Sequence, residues 1–317
     1  MFRKIKKYFK SIIGNASNYR KLEVLYNRAI EDAKNVKMNV SQLQSFFNNQ
    51  KISIKNLSEV EFQVFSQGGE DGIIQYLISK LEIPHKTFIE FGVENYLESN
   101  TRYLFLNNNW RGLVIDGSPE HIRYIDHDIA ARGELHIEST FITKDNINDL
   151  LKKPGFDREV GILSVDIDGN DYWVWEAINV ITPIIVIAEY NSVFGMNTYW
   201  SVPYDPSFVR REKHASQLYY GVSLGALCTL AEKKGYTFIG CNSKGNNAFF
   251  IRNDKMAPFI SGKSLEEGYV RSNFREARDE KGWITGGNRI KAIAGLDITD
   301  VRTGATIKID PALAKYE

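Results

Sequence analysis

The sequence predicts an α/β fold, in which a mostly parallel, doubly wound sheet is closed by an antiparallel hairpin and preceded by an N-terminal helical extension. Short apolar runs alternate with amphipathic helical stretches from about residue 64 to 252. Several runs, such as IIVIAE, are near-continuous in Val, Ile and Ala, as strands buried on both faces of a parallel sheet require. The last two runs, YTFIGC and NAFFIR, are separated only by a short SKGN turn, which makes them a hairpin.

Residues 1–62 read as the helical extension. In its first stretch Arg3, Lys4, Lys6, Lys7 and Lys10 alternate with Phe2, Ile5, Phe9, Ile12 and Ile13 at helical spacing. This basic amphipathic segment suits either weak peripheral contact with an anionic membrane surface or docking on the body or a partner subunit. A second stripe, Leu22, Leu25, Ala29 and Ala33, continues the helical pattern. At residue 66 a Gly-rich turn opens the helix SQGGEDGIIQYLISKL. The strand TFIEFG follows, then the helix SNTRYLFLNN, the strand GLVID and the helix SPEHIRYIDHDIA. LHIESTFI, DNINDLL, VGILSVDID, YWVWEAI and PIIVIAE continue the alternation to a fifth strand. The helix SLGALCTLAEKKG leads into the hairpin. Five alternating units closed by a helix and a hairpin have the pattern of the seven-stranded, Rossmann-like class I methyltransferase sheet. The expected body is therefore residues 63–254, and residues 255–317 form a mixed tail with late strands around IKAIAGLDI and ATIKID.

Composition narrows the function. Lys and Arg total 40 against 39 for Asp and Glu, so the net charge of +1 offers no general attraction for a nucleic-acid backbone. The expected partner is a small-molecule or sugar acceptor, with a homo-oligomer as a further expectation. Two cysteines, Cys228 and Cys241, have no paired spacing, which fits a reducing cytoplasm, at the inner face of the membrane if the basic helix anchors there. No apolar run approaches the ~18 residues of a membrane span.

Open α/β sheets bind ligands beyond the carboxyl ends of their strands. Here those ends carry Glu90 and Gly92, Asp116, Asp166 and Asp168, and Glu189 with Asn191. Isolated acids cap turns, but four acidic strand ends call for hydroxyls, an ammonium group or a cation to pair with. Asp116 follows Gly92 at a little over the roughly 20-residue spacing of a ribose-binding acid. EFGVEN lacks the further glycines of a pyrophosphate cradle, which disfavours a dinucleotide. S-adenosylmethionine needs no such cradle: Gly92 would admit its methionyl part and Glu90 would receive its ammonium group directly or through water.

The segments FSQGGEDGII, FIEFGVENYLESNTRYLFLNNNWRGLVIDGSPEHI and SVDIDGNDYWVWEAI resemble the FkbM-type methyltransferases over roughly residues 64–252. The resemblance implies S-adenosyl-L-methionine as cofactor and O-methylation of sugars or natural products, with roles in polysaccharide biosynthesis. It adds Gln67, Asn100, Gly117 and Ser118 to Glu90, Gly92, Asp116 and Asp166 around the cofactor. The chain is also similar to metal-dependent O-methyltransferases in its acids after strands four and five. That likeness implies Mg²⁺ or Mn²⁺ on Asp168, Glu189 and Asn191, with Asp166 as an alternative ligand.

Two routes to activating the acceptor stay open. One is that cation, with Asp168 at the reacting centre; the other is His214 as general base, in the polar insert after strand five. Phe194, Tyr199, Trp200, Tyr204, Tyr219 and Tyr220 make the insert aromatic, which suits either an acceptor pocket or the packing of a long loop. The expected function is S-adenosylmethionine-dependent O-methyl transfer to a sugar or glycan-precursor hydroxyl. A catalytically inactive binding protein of the same fold, or a nucleotide-sugar-modifying enzyme without methyl transfer, are the alternatives.

Overall fold

The fold is that of a computed structural model, which describes residues 16–153, 156, 159–272, 278–279, 281–283 and 289–315. The basic segment that opens the chain lies outside these residues.

Strands are numbered in chain order. β1 (Thr87–Phe91), β2 (Arg111–Asp116), β3 (Leu135–Ser139), β4 (Glu159–Val165) and β5 (Thr182–Glu189) run parallel. β6 (Trp200–Ser201) lies elsewhere, and β7 (Tyr236–Cys241) and β8 (Asn247–Arg252) complete the main sheet. The order is β3-β2-β1-β4-β5-β8-β7, with β8 antiparallel to both neighbours. The chain winds outward from β1 to β3 and then returns to β4. Strand order therefore reverses between β1 and β4, where a ligand crevice opens. This is the class I methyltransferase layout, as the strand and helix pattern predicts.

The nine helices of the described residues are α1 (Ala16–Asn49), α2 (Glu70–Lys80), α3 (Arg102–Asn108), α4 (Pro119–Asp128), α5 (Ile147–Leu151), α6 (Asp171–Ala177), α7 (Arg210–Lys213), α8 (Leu224–Lys233) and α9 (Leu265–Gly268). Alternation along the strands divides the core between two layers. Ile89, Leu113, Leu163 and Val186 face α5, α6 and α8, while Phe88, Val114, Ile162 and Ile185 face α2, α3 and α4. Caps fix where helices start: Ser118 accepts a bond from His121 N with Pro119 in the first turn, and Ser223 accepts one from Ala226 N.

Ile54, Leu57 and Val60 are buried in the α2 layer, so the stretch after α1 packs with the sheet. In the tail, Arg289–Ile293 form a 3-10 helix where a strand was expected, and strand β9 spans only Asp297–Asp300. Gly295, at φ +78°, turns the chain between the two. β9 pairs with β10 (Ala305–Lys308) and with β6 of the insert, making a second sheet of order β10-β9-β6. No helix among the described residues is long and apolar enough to cross a membrane.

Candidate active site

A cavity of about 800 Å³ opens at the carboxyl ends of β1, β2, β4 and β5. Its walls include every cofactor and cation candidate read from the sequence: Gln67, Glu90, Gly92, Asn100, Asp116, Gly117, Ser118, Asp166, Asp168, Glu189 and Asn191. His214 is not among the lining residues; its Nδ1 lies 2.8 Å from Ser216 Oγ.

The β1 end is organised by Glu90. One carboxylate oxygen accepts from Ser99 Oγ (2.5 Å), Thr101 N (3.0 Å) and Thr101 Oγ1 (2.5 Å), and the other accepts from Asn100 N (2.9 Å). Burial pushes its pKa up, opposed by the Ser99 and Thr101 hydroxyls. Glu90 thus shapes the loop that carries Asn100 and also lines the cavity. Gly92 has φ +68°, and a Cβ there would meet Asp166 O at 1.7 Å. Glycine is thus required because the β1 and β4 loops cross in contact, a closer constraint than approach of a ligand.

At the β2 end Asp116 Oδ2 accepts from Glu94 N (2.9 Å) and Oδ1 from Ser118 N (2.8 Å), with His121 Nδ1 at 3.3 Å. The carboxylate is therefore held in one orientation, with acceptor capacity left on Oδ2.

The densest charge lies at the ends of β4 and β5. Asp166, Asp168 and Glu189 each bring an oxygen within 4.8 Å of the others. Burial and mutual repulsion raise the pKa of Asp166 and of Glu189 well above the usual carboxylate range. Asp168 is a non-glycine residue in the left-handed region, at φ +57°. Such a conformation costs about 1 kcal/mol or more and persists where the surroundings impose it. They do so here: Asp171 accepts from Ile167 N (2.8 Å) and Gly169 N (2.9 Å), and burial lifts its own pKa to about 6 against those bonds. Arg210 of α7 donates to Asp168 at 2.5 Å and stacks 3.6 Å from the centre of the Tyr220 ring.

Asn191, assigned to the cation set from sequence, lines the cavity and also makes local hydrogen bonds. Its Oδ1 accepts from Val193 N (3.1 Å), and its Nδ2 donates to Leu218 O (2.8 Å) and Tyr220 O (3.0 Å). Its amide pins the insert to the end of β5, and Asp166, the alternative ligand, lies beside Asp168 and Glu189. The insert aromatics also sort differently. Phe194 and Trp200 pack in a third core with Ile290, Ile293 and Ile298 of the tail, and of the six aromatics only Tyr220 reaches the cavity.

Gln67 is presented by the SQGGED turn. Asp71 accepts from Val64 N, Phe65 N and Ser66 N, while Glu70 accepts from Gly68 N (2.6 Å), Asn242 Nδ2 (2.6 Å) and Asn247 Nδ2 (2.8 Å). Asp71 thus fixes the segment that leads into the turn, and Glu70 fastens the turn to the β7–β8 hairpin. Sequence reasoning missed the hairpin residues Asn246 and Asn247 and the cationic rim of Arg210, Arg211, Arg278 and Arg289. The RREKH run beside His214 was the one local signal for that rim.

No protein-family model matches the chain, and no curated protein matches it. Among solved structures, it is similar to a putative caffeoyl-CoA O-methyltransferase from Staphylococcus aureus at 14% identity and TM-score 0.39, over 73% of this chain and 99% of that one. A S-adenosylmethionine-dependent methyltransferase from Clostridium acetobutylicum shares 12% identity at TM-score 0.37, over 58% of this chain and 90% of that one. PKMT2 from Rickettsia typhi shares 12% identity at TM-score 0.39 over 59% of this chain; the match spans 53% of that protein. With every TM-score quoted below 0.5, the strand order of the chain itself carries the fold.

Proposed function

We propose that the protein is an S-adenosylmethionine-dependent O-methyltransferase whose acceptor is a sugar or glycan-precursor hydroxyl, with a divalent cation on Asp166, Asp168 and Glu189. The carrying observation is that Asp116 and this carboxylate cluster line one cavity. Its volume of about 800 Å³ lies within the roughly 300–1,000 Å³ of small-molecule sites. Asp116 accepts the ribose hydroxyls, held in place by the amides of Glu94 and Ser118. Gln67, Asn100, Gly117 and Ser118 complete the cofactor's surroundings, and the sequence resemblance to the FkbM-type family supports this arrangement and the sugar acceptor.

The cluster suits a hard cation because its donors are all carboxylate oxygens and two of them carry raised pKa values, the mark of negative charge in want of a counter-charge. A divalent ion bound there supplies the positive charge that lowers the pKa of an acceptor hydroxyl and orients it. Arg210 holds Asp168 in place beside the cluster. Gln217, Arg211 and Arg278 line the wall on the acceptor side with hydrogen-bond donors.

Methyl transfer from S-adenosylmethionine to a panel of free and nucleotide-linked sugars, in Mn²⁺ or in EDTA, tests the reading. Turnover that needs the cation is expected. Turnover undiminished in EDTA would remove the cation, and absence of S-adenosylmethionine binding would remove the methyltransferase reading altogether.

A further inference from the structure

We propose that α1 forms a parallel, two-stranded coiled coil with the same helix of a second copy of this chain. α1 runs for 34 residues and presents an apolar stripe with strictly alternating steps of four and three. Leu22, Ala29, Val36 and Leu43 occupy one set of core positions, d of the heptad. Tyr26, Ala33, Val40 and Phe47 occupy the other, a. A pattern kept over nearly four heptads is the signature of a helix that supercoils with a partner, since an isolated helix has no use for a 3.5-residue period.

The body does not cover this stripe. Val36 is 61% exposed, Leu43 60% and Phe47 67%. The helix attaches to the body by polar side chains on another face: Ser41 Oγ donates to Tyr103 OH (2.8 Å), Gln42 Nε2 to Asn107 Oδ1 (2.8 Å) and Asn48 Nδ2 to Val60 O (3.0 Å). These are b and c positions, which lie on the outside of a two-stranded coil. Body and partner therefore take different faces of α1.

The flanking positions select the occupant and its direction. In a parallel, in-register pair each g residue meets the e residue five places on in the partner. That sets Leu25 against Ile30, Asp32 against Lys37 and Asn39 against Gln44: apolar with apolar, acid with base, amide with amide. An antiparallel pair in the register of greatest overlap sets Lys37 against Ile30 and Asp32 against Asn39, so it loses the charge match even though it sets Leu25 against Phe46. Glu23 and Asp32 beside the stripe disfavour an anionic membrane as its cover. A parallel pair related by a two-fold axis is also closed, so it ends at two copies.

Sedimentation equilibrium of the full chain tests this. The expected mass is twice the 36.2 kDa of the chain. Replacing Val36→Glu and Leu43→Glu together should give a monomer, with dissociation raised about 100-fold or more, and leave S-adenosylmethionine affinity and the near-ultraviolet circular dichroism unchanged. Asp32→Lys should weaken the dimer, and adding Lys37→Asp should restore it, a rescue that only the parallel register gives. A monomeric wild type, a trimer, a dimer indifferent to the paired Glu substitutions, or an Asp32→Lys defect without rescue would each overturn the proposal. A monomer that sediments with anionic liposomes through the same stripe would overturn it in favour of a lipid surface.

Discussion

Replacing Glu189→Gln should stabilise the cation-free protein at neutral pH while abolishing turnover. Asp166 and Glu189 both have raised pKa values, so each binds protons more tightly in the folded chain than in the unfolded one. Their contribution to stability is fully present below the unfolded carboxylate range, near pH 4, and is lost as pH rises toward their folded pKa values. At neutral pH the folded state therefore carries the cost of crowding two acids that ionise freely in the unfolded chain, either as repulsion or as a retained proton. With the oxygens within 4.8 Å, Coulomb's law at an effective dielectric near 20 gives about 3 kcal/mol of repulsion. Both side chains are half-buried and face the cavity, so water there reduces the figure to about 1–2 kcal/mol. The Gln amide removes the charge and offers Asp166 a donor. By the usual scaling for a chain of 317 residues, Tm in EDTA should rise by roughly 1.5–3 °C at pH 7.5, with almost no rise at pH 4. Mn²⁺ should raise the Tm of the wild type and leave that of the variant in place. Scanning fluorimetry across pH, with and without Mn²⁺, reads both effects. A variant less stable than wild type in EDTA at pH 7.5, or one still stabilised by Mn²⁺, would refute the electrostatic reasoning.

Asp116→Ala should weaken S-adenosylmethionine binding by about 1.5–3 kcal/mol, the range for bonds to a charged group, as read by calorimetry on the folded variant; unchanged affinity would take Asp116 out of the site. Gly92→Ala should destabilise the fold by about 3 kcal/mol or more, because it combines a left-handed φ with a contact that backbone must move to relieve; an unshifted denaturation midpoint would count against the crossing of the β1 and β4 loops. His214→Ala should keep most of the turnover, since the residue does not line the cavity; a loss of about 100-fold or more with the fold intact would make it the general base.

The main sheet was legible because each strand announces itself locally: apolar runs bounded by turns, with helix caps such as Ser118 and Ser223 between them. The acids at the strand ends were legible for the same reason, since parallel topology alone brings Asp116, Asp166 and Glu189 to one edge. What each acid does depends on partners that sequence does not rank. That Glu90 also binds residues 99–101, and Asn191 also binds Leu218 and Tyr220, shows only in the folded chain. The second sheet was hidden because β6 has two residues and pairs with a strand about a hundred positions on. Arg210 was missed because Asp168, its partner, lies 42 residues away. On α1 the stripe Leu22, Leu25, Ala29 and Ala33 was visible as helical, but only its exposure separates a surface for a partner from one docked on the body.

The central claim is that one cavity holds S-adenosylmethionine against Asp116 and a divalent cation against Asp166, Asp168 and Glu189. Calorimetric titration of the full chain with S-adenosylhomocysteine and, separately, with Mn²⁺ tests it most directly. The account predicts one site for each, with the nucleoside lost selectively in Asp116→Ala and the cation lost selectively in Glu189→Gln. Failure of the wild type to bind either ligand, or loss of both in a single folded variant, would contradict it.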